Sequence, residues 1–216
     1  MPSRAGDARI NPLTAAVGSI EPLRHKGAPR YSPSGSVGSI KEDALPPPDA
    51  ELIELENRRS ELRSHYIVPA AERAESPGRG IHHAALICSD VERTIQFYQG
   101  QLGFPLVELV ENRDYHGSSH LFFDVGNKTL LGFFDFPGLG LQPGVESIGS
   151  VQHIAISATK ERWDEVRGRL DAAGIAYAGP DIGIPESMYF RDPDGIGIEL
   201  LSDPLMYFGG HQLDEE

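Results

Sequence analysis

Two stretches of the chain show the same succession of hydrophobic and polar positions. They open with HHAALICSDVERTIQFYQGQLGF and QHIAISATKERWDEVRGRLDAAGI. Each begins as a short apolar strand, continues after a polar break as an amphipathic helix, and ends at a glycine, Gly103 or Gly174. Three strand-like runs follow each helix. The pattern predicts an α+β fold made of two tandem βαβββ modules, over residues 80–140 and 150–204.

The segments that flank the repeat have a different composition. Residues 1–48 are rich in Gly, Pro, Ser and Ala, which predicts a disordered tail. Residues 49–79 are predicted to be a helix and a linker. Asp49 can cap a helix of about 16 residues that has a loose apolar face. This helix would pack on the domain or on a partner chain. Residues 205–216 predict an acidic C-terminal tail.

Composition and charge narrow the class of protein. The 216 residues are 39% hydrophobic and 24% charged, as in ordinary globular chains, and the net charge of −13 argues against a binder of nucleic acid or of anionic membranes. The chain has no apolar run of about 18 residues, so no membrane span is predicted. The single cysteine, Cys88, excludes an intrachain disulfide. With no secretory signal in the sequence, we expect a cytoplasmic protein with Cys88 as a buried hydrophobe.

Three strands of the repeat carry one metal-ligating residue each, on a face that otherwise holds mainly small residues. The three are His83, His153 and Glu199, and apolar residues occupy the opposite face of each strand. Two imidazoles and one carboxylate form a facial triad that suits Fe²⁺, and Mn²⁺, Zn²⁺ or Ni²⁺ would also fit. A cation would also explain a carboxylate on a buried strand. Each residue alone is more typical of a strand edge, but the matched positions favour a metal site.

These stretches, together with VQHIAIS and YFRDPDGIGIEL, resemble the vicinal oxygen chelate superfamily. That group includes glyoxalase I, extradiol ring-cleaving dioxygenases, fosfomycin-resistance proteins and bleomycin-binding proteins. The resemblance covers residues 80–204. It implies paired βαβββ modules whose mixed sheets curl into a cup around a metal, with ligands from the first and last strands of each module. On this chain those ligands are His83, His153 and Glu199.

The fourth ligand position of the family has no ligand in this chain. It falls near Gly132, which cannot coordinate a metal, and the neighbouring Asp135 should point to the other face of its strand. Glyoxalase I uses a ligand at all four positions, whereas the dioxygenases and the fosfomycin enzymes use two histidines and one glutamate. The resemblance therefore implies a site of the latter kind.

Further residues of the site are implied by the extradiol signature. Tyr189 precedes Glu199 by ten residues, as in that signature, and a phenol there can hydrogen-bond an oxygen on the metal. The two outer histidines that extradiol enzymes usually carry are missing. His116 and His120 are the remaining candidates for proton transfer, although His120 is equally well placed to be an edge residue of its strand.

Three functions are compatible with these residues. The leading hypothesis is a divalent-metal-dependent enzyme of the dioxygenase type, with Fe²⁺ favoured, that acts on a small substrate with vicinal oxygens, for example by extradiol ring cleavage. The alternatives are a glyoxalase-, epimerase- or thiol-transferase-like metalloenzyme and a non-enzymatic binder of a small molecule. The predicted pocket walls, of which alternation lets only a part face inward, are Phe122, Phe134, Met188, Tyr189 and Phe190. A homodimer is compatible with the sequence.

Overall fold

Two four-stranded sheets dominate the computed structural model, which describes residues 48–179 and 187–215. The first sheet contains, in spatial order, β1 (His83–Ile87), β4 (Leu130–Phe134), β3 (Ser119–Asp124) and β2 (Leu106–Glu111). The second contains β5 (Ile154–Ser157), β8 (Gly197–Leu201), β7 (Ser187–Arg191) and β6 (Tyr177–Ala178). In each sheet the first and last strands pair in parallel and the other pairs are antiparallel. The predicted α+β fold is confirmed.

A helix follows the first strand of each module. The first, α2 (Val91–Ile95), continues as a π-helix over Gln96–Gln101, and the second, α3, spans Lys160–Ala173. Asp90 and Thr159 cap them, since each side chain accepts a hydrogen bond from a backbone N–H in the first turn. Gly174 ends α3 in the left-handed conformation at φ 67°, which glycine adopts without steric cost.

The helix that precedes the modules, α1 (Asp49–Tyr66), has no buried residue. The expectation that Asp49 caps it is wrong, because Pro48 holds the cap position and Asp49 lies in the first turn. In this chain α1 does not bury its apolar side chains against the modules, so packing on the domain is not observed. Positions 1–47 of the predicted disordered tail lie outside the described residues. No helix of the described part is long and apolar enough to cross a membrane.

The C-terminal segment contains more structure than the acidic tail that was expected. Strands β9 (Tyr207–Phe208) and β10 (His211–Gln212) form a short antiparallel hairpin. The backbone N–H of Leu213 donates to the Met206 carbonyl at 2.8 Å. The guanidinium of Arg73 donates to the Leu213 carbonyl, which ties this end to the segment after α1.

One buried core joins both modules. The first sheet contributes Leu121, Phe123, Leu131 and Phe133 to it, and the second sheet contributes Met188, Phe190, Ile198 and Leu200. The helical segments that follow β1 and β5 contribute Phe97, Tyr98, Trp163, Val166 and Leu170. Alternation along each strand then turns the other face of each sheet away from this core. We call these the outer faces of sheets 1 and 2.

A polar contact inside the core connects the modules. The Tyr98 hydroxyl, fully buried in the π-helix, donates to Oδ2 of Asp192 at 3.1 Å, and Asp192 is only 5% exposed. The other Asp192 oxygen accepts from the backbone N–H groups of Asp194 and Ile196. Burial raises the pKa of Asp192 and raises the pKa of Tyr98 well above its usual range. Asp194 in turn accepts from Ser89 of the first module.

Candidate metal centre

Glu199 lies at the middle of the outer face of sheet 2. Register places it beside Ala155 of β5 and Tyr189 of β7. Its Oε2 lies 3.0 Å from Nε2 of His153, and its Oε1 accepts a hydrogen bond of 2.5 Å from the Tyr189 hydroxyl. The Glu199 side chain is only 12% exposed. The predicted ligand His153 and the predicted catalytic residue Tyr189 therefore both contact the carboxylate of Glu199, which is itself a predicted ligand.

The backbone beside Glu199 brings His153 close to it. A Cβ atom at Gly197 would lie 2.8 Å from the Gln152 carbonyl oxygen and 3.2 Å from Cβ of His153, so only glycine permits this approach of β8 to the start of β5. The side-chain oxygen of Gln152 hydrogen-bonds Nδ1 of His153. This contact orients the imidazole, as partners of metal-ligating histidines commonly do. Sequence reasoning missed both residues, although a glycine two positions before a strand glutamate was visible.

The approach of His153 to Glu199 requires a proton or a cation between the two side chains. When Nδ1–H is donated to the amide oxygen of Gln152, a neutral imidazole presents the lone pair of Nε2 to the carboxylate. Two electron pairs 3.0 Å apart repel each other unless a proton or a metal ion lies between them. Imidazole nitrogen and carboxylate oxygen are ligands of first-row divalent cations, so these two residues fit part of such a coordination shell.

The outer face of sheet 1 carries two further predicted site residues, His83 and His120. His83 contacts Phe122 edge-on, with ring centroids 5.7 Å apart, and its Nδ1 lies 2.9 Å from Nδ1 of His82. His120 stacks on Phe134 at 3.7 Å, and its buried Nε2 has no hydrogen-bond partner among the described residues. Burial lowers the pKa of His120, and the neighbouring His83 and Arg113 lower it further.

The fourth ligand position of the family is closed by packing as well as by residue type. Gly132 lies opposite Phe122 in β3 and Ala85 in β1. A Cβ there would lie 3.1 and 3.2 Å from the Phe122 ring, so no ligand side chain fits unless that ring moves. Asp135, the nearby carboxylate, instead accepts from the Ser119 backbone N–H.

The remaining predicted residues divide between solvent and core. His116 lies in the loop after β2 with a 96% exposed side chain, 2.5 Å from Glu111. Met188 and Phe190 are fully buried in the core, so they are the members of the predicted wall set that alternation turns away from the site. Phe122, Phe134 and Tyr189 do lie on the outer faces, in agreement with alternation along their strands.

The structure therefore brings together two of the three predicted ligands. His153 and Glu199 meet on sheet 2, whereas His83 lies with His120 on sheet 1. Among the described residues, no three His, Cys, Asp or Glu side chains lie close enough together to hold one metal ion. The three-residue ligand set stays a prediction, divided between two surfaces of the chain.

Comparison with known proteins agrees with this architecture. Residues 80–200 match the model of the Glyoxalase/Bleomycin resistance protein/Dioxygenase superfamily. A solved structure of such a domain from Frankia sp. EAN1pec shares the fold at a TM-score of 0.51 and 20% identity, and the match covers 58% of this chain and 98% of that one.

Two curated relatives differ in how much of their length matches. The catechol-2,3-dioxygenase of Bacillus subtilis (strain 168) is 30% identical over 124 residues, 57% of this chain and 41% of that protein. The metallothiol transferase FosB of Lysinibacillus sphaericus (strain C3-41) is 27% identical over 147 residues, 64% of this chain and 95% of that protein. The chain thus spans less than half of the dioxygenase. Because the family model covers more than half of this chain, the chain belongs to the glyoxalase/bleomycin resistance protein/dioxygenase superfamily.

Proposed function

We propose that this chain is a divalent-metal-dependent enzyme of the dioxygenase type, acting on a small substrate with two neighbouring oxygens such as a catechol. The observation that carries the proposal is the approach of Nε2 of His153 to Oε2 of Glu199, at 3.0 Å on a mostly buried strand. The Glu199 side chain is only 12% exposed, and a carboxylate held there is costly unless a cation or a proton meets it. His83 is the proposed third ligand, and Fe²⁺ is the favoured metal.

A bound cation and the side chains of this protein would contribute different parts of the proposed reaction. A divalent cation held here would lower the pKa of a bound substrate hydroxyl and stabilise an enolate. Tyr189 fixes the Glu199 carboxylate by donating to Oε1, which leaves Oε2 directed at His153. His120 is the proposed proton acceptor, because a buried Nε2 without a partner among the described residues and a lowered pKa keep a neutral imidazole on the outer face of sheet 1, beside His83.

Metal binding is the first test of the proposal. Apo protein titrated with Mn²⁺ or, without oxygen, with Fe²⁺ should bind the metal, and His153→Ala or Glu199→Gln should weaken binding about 100-fold or more. Tyr189→Phe should weaken it by about 10- to 100-fold, because it removes the group that orients the carboxylate. His211→Ala, which changes an exposed histidine of the C-terminal hairpin, is the matched control and should bind like wild type. Equal binding by wild type and Glu199→Gln would refute the site.

The reaction is tested separately from the metal. Protein loaded with Fe²⁺ should consume oxygen with a member of a catechol panel, in proportion to the catechol lost, and Tyr189→Phe and His120→Gln should slow the reaction. His116→Gln is the control, since that side chain lies exposed in a loop. Metal binding without oxygen uptake across the panel would exclude the dioxygenase activity while leaving the metal site in place.

The second candidate is addition of a thiol to a small metal-bound substrate. It is favoured by one observation, that the match covers 95% of the length of the metallothiol transferase relative. The same loaded protein would then consume a thiol and no oxygen. A protein that binds no divalent metal would instead agree with the non-enzymatic binder.

A further inference from the structure

Helix α1 carries an apolar stripe that the described part of the chain leaves uncovered. Leu52, Leu55, Leu62 and Tyr66 follow one another at intervals of three, seven and four residues, which is the a and d spacing of a heptad repeat. Each of these side chains is between 38% and 70% exposed, and α1 has no buried residue. Apolar side chains at this spacing form one side of a helix, which is the surface of a helix that packs on another helix.

The charges of α1 are divided between its two halves. Residues 49–57 contain four carboxylates and no cation, whereas residues 58–66 contain three arginines and one carboxylate. A second α1 helix in the parallel direction would place like-charged halves side by side. A second α1 helix in the antiparallel direction would place the acidic half of each beside the basic half of the other, which is attractive. The surface of α1 is therefore complementary in charge to a reversed copy of itself.

Arg59 gives the same preference for direction. It holds the a position between Leu55 and Leu62, so it lies within the stripe. In a parallel pair an a position faces its own counterpart, and two Arg59 guanidinium groups would meet in the seam. In an antiparallel pair an a position faces a d position. The register that overlaps almost all of α1 then sets Leu52 opposite Leu62 of the second copy, and Arg59 opposite Leu55.

Ion pairs within the helix compensate the charges nearest to the centre of such a pair. Glu56 binds both Arg59 and Arg63, at 2.6 and 2.5 Å, and Arg58 binds Glu61 at 3.1 Å. Glu56 and Arg58 would each approach their own counterpart near the two-fold axis. Because each already has a partner of opposite charge, the antiparallel arrangement brings no uncompensated like charges together.

We propose that α1 is a self-association surface, through which two copies of this chain pair with their α1 helices antiparallel. A two-fold axis through the middle of the helix makes the contact reciprocal, so it closes at two copies. With 18 residues, α1 is short for a helix that pairs by itself, and the association should be weak and depend on concentration. The proposal is independent of the proposed function, because α1 contains none of the proposed metal ligands.

Cysteine cross-linking of the full-length chain tests the direction of pairing. Leu52→Cys and Leu62→Cys chains carry different affinity tags and are oxidised separately and as a mixture. Antiparallel pairing should join the two different chains in the mixture, and neither variant alone should form a covalent dimer. Each variant cross-linked alone, without mixed products, would show parallel pairing and overturn the proposal. Cys88 is buried and present in every chain, so wild-type protein measures its background.

A matched control separates pairing from random collision. Asn57 lies at the middle of α1 on the side opposite the stripe, so Asn57→Cys should form no covalent dimer alone or with either variant. Equal cross-linking in every combination would show random encounter of exposed thiols. No cross-linking in any combination would show that α1 helices do not meet. Either result would overturn the proposal.

Sedimentation at increasing protein concentration provides a second measurement. Leu55→Ala should weaken the association about 10-fold or more, because each pair loses two leucine side chains from the seam. Ile53→Ala, which changes a 63% exposed side chain outside the stripe, should associate like wild type. Circular dichroism should show the same melting temperature for both variants, since neither side chain is buried in the modules. Association that is equal in the two variants would contradict a seam at Leu55.

Discussion

Replacing Tyr98 by phenylalanine should destabilise the protein through the carboxylate of Asp192. Both side chains are buried, and their 3.1 Å hydrogen bond joins the first module to the turn before β8. Hydrogen bonds to charged groups contribute about 1.5–3 kcal/mol, and a buried acceptor left without its donor adds a desolvation penalty. Asp192 would keep two backbone donors on its other oxygen. We therefore expect a loss of about 2–3 kcal/mol in the free energy of unfolding at pH 7.

The loss should depend on pH in a defined direction. Burial raises the pKa of Asp192, so folding favours its neutral form; that stabilisation is complete in acid and is lost as pH rises through the folded-state pKa. The Tyr98 hydrogen bond opposes this shift, and its removal raises the Asp192 pKa further. The cost of Tyr98→Phe should thus be larger at pH 7 than below the Asp192 pKa, where a neutral hydrogen bond contributes about 0.5–1.5 kcal/mol.

Urea unfolding at several pH values measures this effect. At pH 7 the midpoint should fall while the m-value stays unchanged, and the melting temperature should fall by about 4–12 °C. Tyr66→Phe is the matched control, because Tyr66 is 70% exposed, and it should behave like wild type. A double-mutant cycle with Asp192→Asn isolates the pair. A loss below about 0.5 kcal/mol at pH 7, or one that does not change with pH, would show that the phenol does not stabilise the carboxylate.

Three further outcomes are expected. Gly132→Ala should cost about 1–3 kcal/mol of stability, because its Cβ would lie 3.1 Å from the Phe122 ring, and Phe122→Leu in the same chain should restore part of the loss in thermal unfolding. Gly197→Ala should displace His153 and weaken Mn²⁺ binding in calorimetry, whereas Gly168→Ala, with open space around its Cβ position, should not. His120 should titrate with a pKa below the usual range of histidine when its ring is followed by NMR. Its contribution to the stability of the fold is complete above the unfolded-state pKa and is lost as pH falls through the folded-state pKa. A titration midpoint at or above about 6.5 would contradict the burial of this side chain.

The period-two pattern of the sequence predicted correctly, for β1, β5 and β8, which face of the strand lies away from the core. Ile198 and Leu200 are buried as expected, and Glu199 between them lies on the outer face. Helix ends were equally visible, since Gly103 and Gly174 both adopt positive φ. These features depend on local residues and alternation, which a single sequence contains.

The relation between the two modules was not predictable from the same pattern. Alternation states that His83 and Glu199 avoid the core, but it does not state whether two polar faces look toward or away from each other. That is decided by contacts such as Tyr98 with Asp192, whose residues lie 94 positions apart. Gln152 was missed for a related reason, because an amide that orients a neighbouring imidazole has no sequence pattern of its own.

The contacts between the modules also set the order in which the chain can fold. Tyr98, Arg93 and Ser89 find their acceptors 94, 101 and 105 residues later in the chain. During synthesis the first module therefore leaves the ribosome well before its partners in the Asp-Pro-Asp-Gly turn exist, and its helix keeps an apolar face exposed over that interval. Contacts of such long sequence separation slow folding and extend the time at risk of aggregation. The two modules should accordingly unfold as one cooperative unit, and the first module made alone should not reach the native state.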